Sequence, residues 1–175
     1  MKEFAYVYSK EEAAYRFSDS HPFNPIRLEL TLSLLEATGA LETVDCIVPR
    51  PATDEELSLI HDADYIQAVK LAGHGELSPM KAQMYGLGTE DTPLFDRMHE
   101  SAALLVGGTI EACELVLSGQ YRRTFHIGGG LHHGFRGRAS GFCIYNDTAV
   151  AMAAMIQKYD CRILYVDTDA HHGDG

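Results

Sequence analysis

Several things are missing or scarce in this chain, and each narrows what it can be. Its four cysteines, Cys46, Cys113, Cys143 and Cys161, show no Cys-x-x-Cys spacing, so a disulfide framework is not expected. They read as reduced, mostly buried thiols of a cytoplasmic protein. No apolar run approaches the roughly 18 residues that span a bilayer. The opening Met1-Lys2-Glu3-Phe4 also lacks the basic and apolar regions of a secretion signal, so no membrane partner is expected. Basic residues are scarce: 14 Lys and Arg stand against 25 Asp and Glu, a net charge of -11. A nucleic-acid backbone requires clustered cations and is set aside as a partner, whereas an acidic surface tolerates a cationic protein or peptide. Finally, the glycine run Gly128-Gly129-Gly130 is followed by no Lys-Ser/Thr pair and opens no GxGxxG helix, which argues against a nucleotide.

What is present fits one α/β domain. A chain of 175 residues with 46% apolar content and 16 glycines can bury a real core. Residues 4–8, Phe-Ala-Tyr-Val-Tyr, predict a first strand from aromatic and β-branched content. Asn24 and Pro25 suit the cap and first position of a helix running to about Thr38, and its leucines cover more than one face, which predicts a buried helix. Arg27 falls in its first turn, where a cation opposes the helix dipole, so it is either a surface arginine or one that meets an anion or polar partner. Cys46-Ile47-Val48 predicts a second strand, and Thr53-Asp54-Glu55-Glu56 is a capping box opening a helix to about Ile60. A further helix follows from His61 to Ala72, with His61 and His74 read as surface or capping residues. Residues 73–93 read as one long loop containing Asp91. Met98, Ala102, Leu105, Val106, Ile110, Cys113 and Leu117 recur at helix spacing and mark a core stripe. A brief strand at Thr124-Phe125-His126-Ile127, a helix from Asp147 to about Lys158 read as buried, and a last strand at Ile163-Leu164-Tyr165 complete the order. Strands alternating with helices imply right-handed crossovers and a parallel, three-layer sheet.

The chemistry concentrates at two strand ends. Val166-Asp167-Thr168-Asp169-Ala170-His171-His172-Gly173-Asp174-Gly175 crowds five ionisable groups into eight residues, and ligands of open α/β sheets bind where strands end. Extended geometry would turn Asp167, Asp169 and His171 to one side. Asp169 and His171 offer a carboxylate oxygen and an imidazole nitrogen, a mixed set suited to Zn²⁺ or Fe²⁺. His132 and His133 follow the glycine run, and with Asp167 and Asp174 they can form two His–Asp pairs for proton transfer.

Three stretches, Gly129-Gly130-Leu131-His132-His133, Ser140-Gly141-Phe142-Cys143-Ile144-Tyr145-Asn146-Asp147 and the closing Asp167 to Gly175, resemble the zinc-dependent histone deacetylase family. His21-Pro22 through Arg27 and Glu90-Asp91-Thr92-Pro93 add to the likeness, which looks most like the bacterial acetoin-utilization branch. The resemblance implies an arginase/deacetylase-like fold and hydrolysis of acetyl-lysine in proteins, with acetate released. It implies Asp169 and His171 as zinc ligands, His133 as general base and acid, and His132 as electrostatic support. Asp167 would then back His132, and Asp174 would back His133. It further implies a potassium ion at Asp167 with backbone oxygens of Asp169 and His171. Gly141 and Phe142 would wall the substrate tunnel, Asp91 would hold substrate backbone at the rim, and Arg27 would lie at the inner end of the pocket. Cys143 would lie beside the site without acting as a nucleophile. The family's third zinc ligand and its tyrosine have no counterpart among these residues, so the expectation is the N-terminal part of a deacetylase, inactive alone. Small acetylated amines such as polyamines are an alternative substrate class, and a non-catalytic binding module is another reading. Arginase-like binuclear hydrolases share the architecture, but the His132-His133 pair speaks against them.

Overall fold

A computed structural model describes residues 1–175. Three parallel strands form the sheet in the order β2-β1-β3: β1 (Lys2–Val7), β2 (Asp45–Ile47) and β3 (Tyr121–His126). Register places Val7 of β1 beside both Ile47 and His126, so all three strands end at one level. The period-2 alternation of β1 sorts its side chains onto two faces. Ala5 and Val7 pack with Ala112 and Leu115 of α5 (Met98–Leu117), while Tyr6 and Tyr8 pack with Leu28 of α1 (Ile26–Ala37). These are the three layers. The largest core, 24 buried residues, lies beside the sheet rather than on it. It gathers α3 (Ala63–Gly73), α5, α6 (Asp147–Tyr159) and the loop residues Leu131, Ile144 and Tyr145. No helix is long and apolar enough to cross a membrane.

Local signals explain most boundaries. Asn24 accepts the Ile26 amide at 3.0 Å ahead of α1, and Thr53 and Glu56 close a reciprocal capping box on α2 (Asp54–Leu57). Asn146 caps α6 by accepting the Ala149 amide at 3.0 Å.

Five readings need correction. Residues 163–166 form no strand: no neighbour pairs with them, and Leu164 and Val166 are 87% and 69% exposed. Strand propensity needs a partner ladder to become a strand, and β3 does not offer one here. The two motif clusters therefore do not sit on adjacent strands. Helix α1 buries only Leu28 and leaves Leu30 and Leu34 exposed, and α6 likewise leaves Ile156 exposed. The stretch 73–93 contains a short helix, α4 (Pro79–Met84), whose first turn begins at Pro79. A 3-10 turn at Lys10–Ala14, capped by Ser9, buries Glu12 completely. His61 is no surface residue. It is 2% exposed, its Nδ1 lies 3.1 Å from the Phe135 carbonyl, and its Nε2 accepts the Asn146 amide at 3.1 Å.

Candidate active site

Beyond the C-terminal end of β3 the chain turns through its glycine run and delivers Leu131 to the core, with His132 and His133 immediately after. His132 is 8% exposed, and its Nδ1 lies 2.6 Å from Asp167 Oδ2. His133 Nδ1 lies 2.7 Å from Asp174 Oδ1. The two rings meet edge to face, 4.3 Å between centroids. A carboxylate only accepts, so each histidine carries its proton on Nδ1 and presents Nε2, which finds no hydrogen-bond partner within the chain. The closing stretch thus reaches the site without being a strand. The Gly175 amide donates to the His132 carbonyl at 3.0 Å, which pins the end of the segment beneath the pair.

Asp167 is held by three donors: His132, the Asp169 amide at 2.9 Å and the Tyr165 hydroxyl at 2.9 Å. They pull its carboxyl down to about 2, His132 contributing most. Asp174 is lowered by His133. Asp169 is lowered by the His171 amide and ring, with Asp169 Oδ1 2.9 Å from His171 Nδ1. The two side chains are hydrogen-bonded to each other at this distance, so they are neighbours of the right donor types for an ion but satisfy one another here. His171 and His133 stack edge to face at 6.2 Å, so Asp169 and His171 share one surface with the His–Asp pairs. The fit to a catalytic metal is partial: no group of three or more His, Cys, Asp or Glu side chains is gathered to hold an ion.

The flanking residues divide. Gly141, at φ +52, lies against the His133 ring, where a Cβ would stand 2.7 Å from His133 Cβ and nearer still to the ring. Phe142 follows with φ +68, a left-handed conformation for a non-glycine residue. Asp91 accepts the Gly141 amide at 2.6 Å, so its carboxylate anchors the wall of the site. Burial pushes the Cys143 thiol up to about 12, which keeps it protonated and poorly nucleophilic. Arg27 lies near Cys143. It stacks over Phe23 at 4.3 Å, and Phe23 in turn lies 6.2 Å from Phe142. The sequence gives His21 no role beyond its motif, yet it packs edge to face on Phe142 at 4.7 Å.

A family profile described as histone deacetylase domain matches residues 21–175. The chain belongs to the histone deacetylase family. It is 57% identical over 175 residues to the acetoin utilization protein AcuC of Bacillus subtilis (strain 168), covering 100% of this chain and 45% of that protein. It is 53% identical over 170 residues to AcuC of Staphylococcus xylosus, covering 97% of this chain and 44% of that one. These relatives place it in the acetoin utilization branch of the family. The chain therefore spans less than half the length of the curated relatives it matches. Among solved structures, an HDAC homologue from Aquifex aeolicus superposes with TM-score 0.88 at 35% identity, over 99% of this chain and 46% of that one. A crystal structure of an HDAC homologue complexed with SAHA gives the same values. The arginase/deacetylase-like architecture follows from this likeness, with a parallel sheet flanked by helices.

Proposed function

We propose that the full-length protein hydrolyses the amide of acetyl-lysine in proteins or peptides and releases acetate. The observation that carries this reading is the meeting of two His–Asp pairs with the neighbouring Asp169 and His171 on one surface beyond the C-terminal end of β3. Asp169 and His171 would hold Zn²⁺, or Fe²⁺, together with a donor outside these 175 residues. When bound, the metal supplies a Lewis acid that polarises the acetyl carbonyl and makes water a better nucleophile at neutral pH. His133 takes the proton from the attacking water at Nε2 and returns it to the departing lysine nitrogen, with Asp174 behind Nδ1 stabilising the imidazolium. His132, backed by Asp167, offsets negative charge developing on the substrate oxygen. Gly141 and Phe142 wall the lysine stem and Asp91 stands at the rim. Arg27 takes its place beyond Phe23, toward the inner end. A potassium ion at Asp167 and the backbone oxygens of Asp169 and His171 belongs to the same proposal, as does a cytoplasmic location, for which the four free thiols are the support.

Side-by-side kinetics of the full-length protein on an acetyl-lysine peptide and on an acetylated polyamine test this reading. A higher kcat/KM on the peptide is expected. A preference for the polyamine would reassign the substrate class, and no turnover of either would leave a binding role. With two metal donors and no third, the 175-residue chain alone is expected to release no acetate.

A further inference from the structure

We propose that a buried polar chain, Glu12–His126–Thr109–Asp147, positions the tandem histidines from behind; the inference rests on the deacetylase reading above. Glu12 is 0% exposed, and its Oε2 faces His126 Nε2 at 3.3 Å, with the His126 side chain 4% exposed. Both atoms are buried, and neither makes a hydrogen bond, to the other or to any other group. Glu12 Oε1 accepts the Ser9 amide at 2.9 Å, which ties the far end of the chain to the 3-10 turn after β1. His126 Nδ1 lies 3.0 Å from Thr109 Oγ1, and that hydroxyl donates to Asp147 Oδ2 at 2.5 Å. Asp147, 0% exposed, accepts the Gly130 amide at 3.0 Å and the Leu131 amide at 2.7 Å. Those are the two peptides directly before His132.

Proton counting fixes the direction. Thr109 has one proton and gives it to Asp147, so it must accept from His126 Nδ1–H. His126 Nε2 and Glu12 Oε2 face each other at 3.3 Å without a hydrogen bond between them. Donation from His126 and Thr109 thus meets donation from the Gly130 and Leu131 amides at Asp147, where the line ends.

Three glycines make room for it. A Cβ on Gly108 would stand 2.6 Å from His126 Cε1, and one on Gly129 would stand 2.6 Å from Asp147 Oδ2 and 2.7 Å from Thr109 Oγ1. One on Gly128 would collide with Glu12 Oε2. Packing alone gives no reason for this arrangement, because apolar side chains of similar volume often serve a core as well as buried ion pairs do. A carboxylate oriented by Thr109 that accepts two consecutive amides does supply a reason: it sets where the next residue, His132, and then His133, are held. Glu12, His126, Thr109 and Asp147 act through the backbone and are positioning residues.

The test uses the full-length protein with saturating metal, comparing wild type, Thr109→Val, Thr109→Ser and Glu12→Gln. Two quantities are read: kcat and KM on an acetyl-lysine peptide, and hydrogen exchange of the segment 128–133. Thr109→Val keeps the shape and removes the proton that Asp147 receives. It is expected to lower kcat by about 10- to 100-fold, the effect of a misplaced reacting group, with KM within about twofold and faster exchange of 128–133. Thr109→Ser should restore both. Glu12→Gln should lower kcat by about threefold or more, and it carries the test if Thr109→Val does not fold. An unchanged kcat with unchanged exchange in a folded Thr109→Val or Glu12→Gln protein overturns the proposal, as does a loss that Thr109→Ser fails to recover. If wild type turns over no acetyl-lysine, the deacetylase reading fails separately. The exchange comparison then decides this inference, with faster exchange in Thr109→Val alone supporting it and equal exchange overturning it.

Discussion

Replacing Gly141 with alanine tests how tightly the wall of the site is fitted to His133. Two costs add at this position. An L-residue in the left-handed region, here φ +52, costs about 1–2 kcal/mol relative to glycine. The new methyl would also stand 2.7 Å from His133 Cβ and 2.5 Å from Cγ, far inside van der Waals contact, and overpacking of that kind typically costs ~1–3 kcal/mol. Gly119 provides the control, because it has φ +76 and nothing within 4 Å of an added methyl. Gly119→Ala should therefore cost only the backbone part, about 1–2 kcal/mol, and Gly141→Ala about 2–5 kcal/mol in all. Urea denaturation of the two full-length variants beside wild type gives both numbers, provided the m-values agree. Gly141→Ala should also lower kcat, since the ring can escape the methyl only by leaving its 2.7 Å contact with Asp174. Equal destabilisation by the two substitutions would refute the close fit of wall to histidine.

Three further outcomes follow. His61 has its pKa lowered, burial being the main cause. Its stabilising contribution is therefore complete above its unfolded value near 6.5 and fades as pH falls below it; His61→Gln should flatten the melting-temperature profile between about pH 7 and 5, and a profile as steep as wild type would rule this out. Asp167, held down at about 2 by His132, contributes stability that is present above the unfolded value near 3.8 and disappears as pH falls through the folded one. Asp167→Asn should remove that acid limb from a denaturation series, and an unchanged limb would count against the pair. Cys143, 4% exposed with its thiol pushed up to about 12, should resist iodoacetamide at pH 7.5–8 (roughly one unit below a free thiol's value) while exposed Cys46 reacts. Faster modification of Cys143 than of Cys46 would contradict its burial.

A chain writes some of its contacts locally and leaves others to distant neighbours. The capping box at Thr53 and the cap at Asn146 involve atoms within three residues, and both are legible in the sequence. The apolar stripe of α5 is legible too, because one long helix carries its own periodicity. Ile163 to Val166 has the composition of a strand, but a strand exists only beside a partner, and no element here pairs with it. Helix α1 misleads for a related reason: leucines on several faces describe a helix that could be covered, and only Leu28, against Tyr6 and Tyr8, becomes buried. His61 looks isolated because its partners, Phe135, Arg136 and Asn146, lie more than seventy positions away (|i−j| of 74 to 85). The pairing of His132 with Asp167 spans 35 positions and that of His133 with Asp174 spans 41. Residue types alone leave that pairing open, and only the family resemblance suggests it. The glycine run signals close backbone approach, but nothing in the sequence names Glu12 or His126 as what approaches.

The most direct test of the account is acetate release from an acetyl-lysine peptide by the full-length protein, wild type against His133→Ala, each with and without a chelator. The account predicts metal-dependent release that His133→Ala reduces by roughly 10²–10⁴-fold, the usual range for an acid–base group. Release that survives chelation, or a His133→Ala rate equal to wild type, would contradict it.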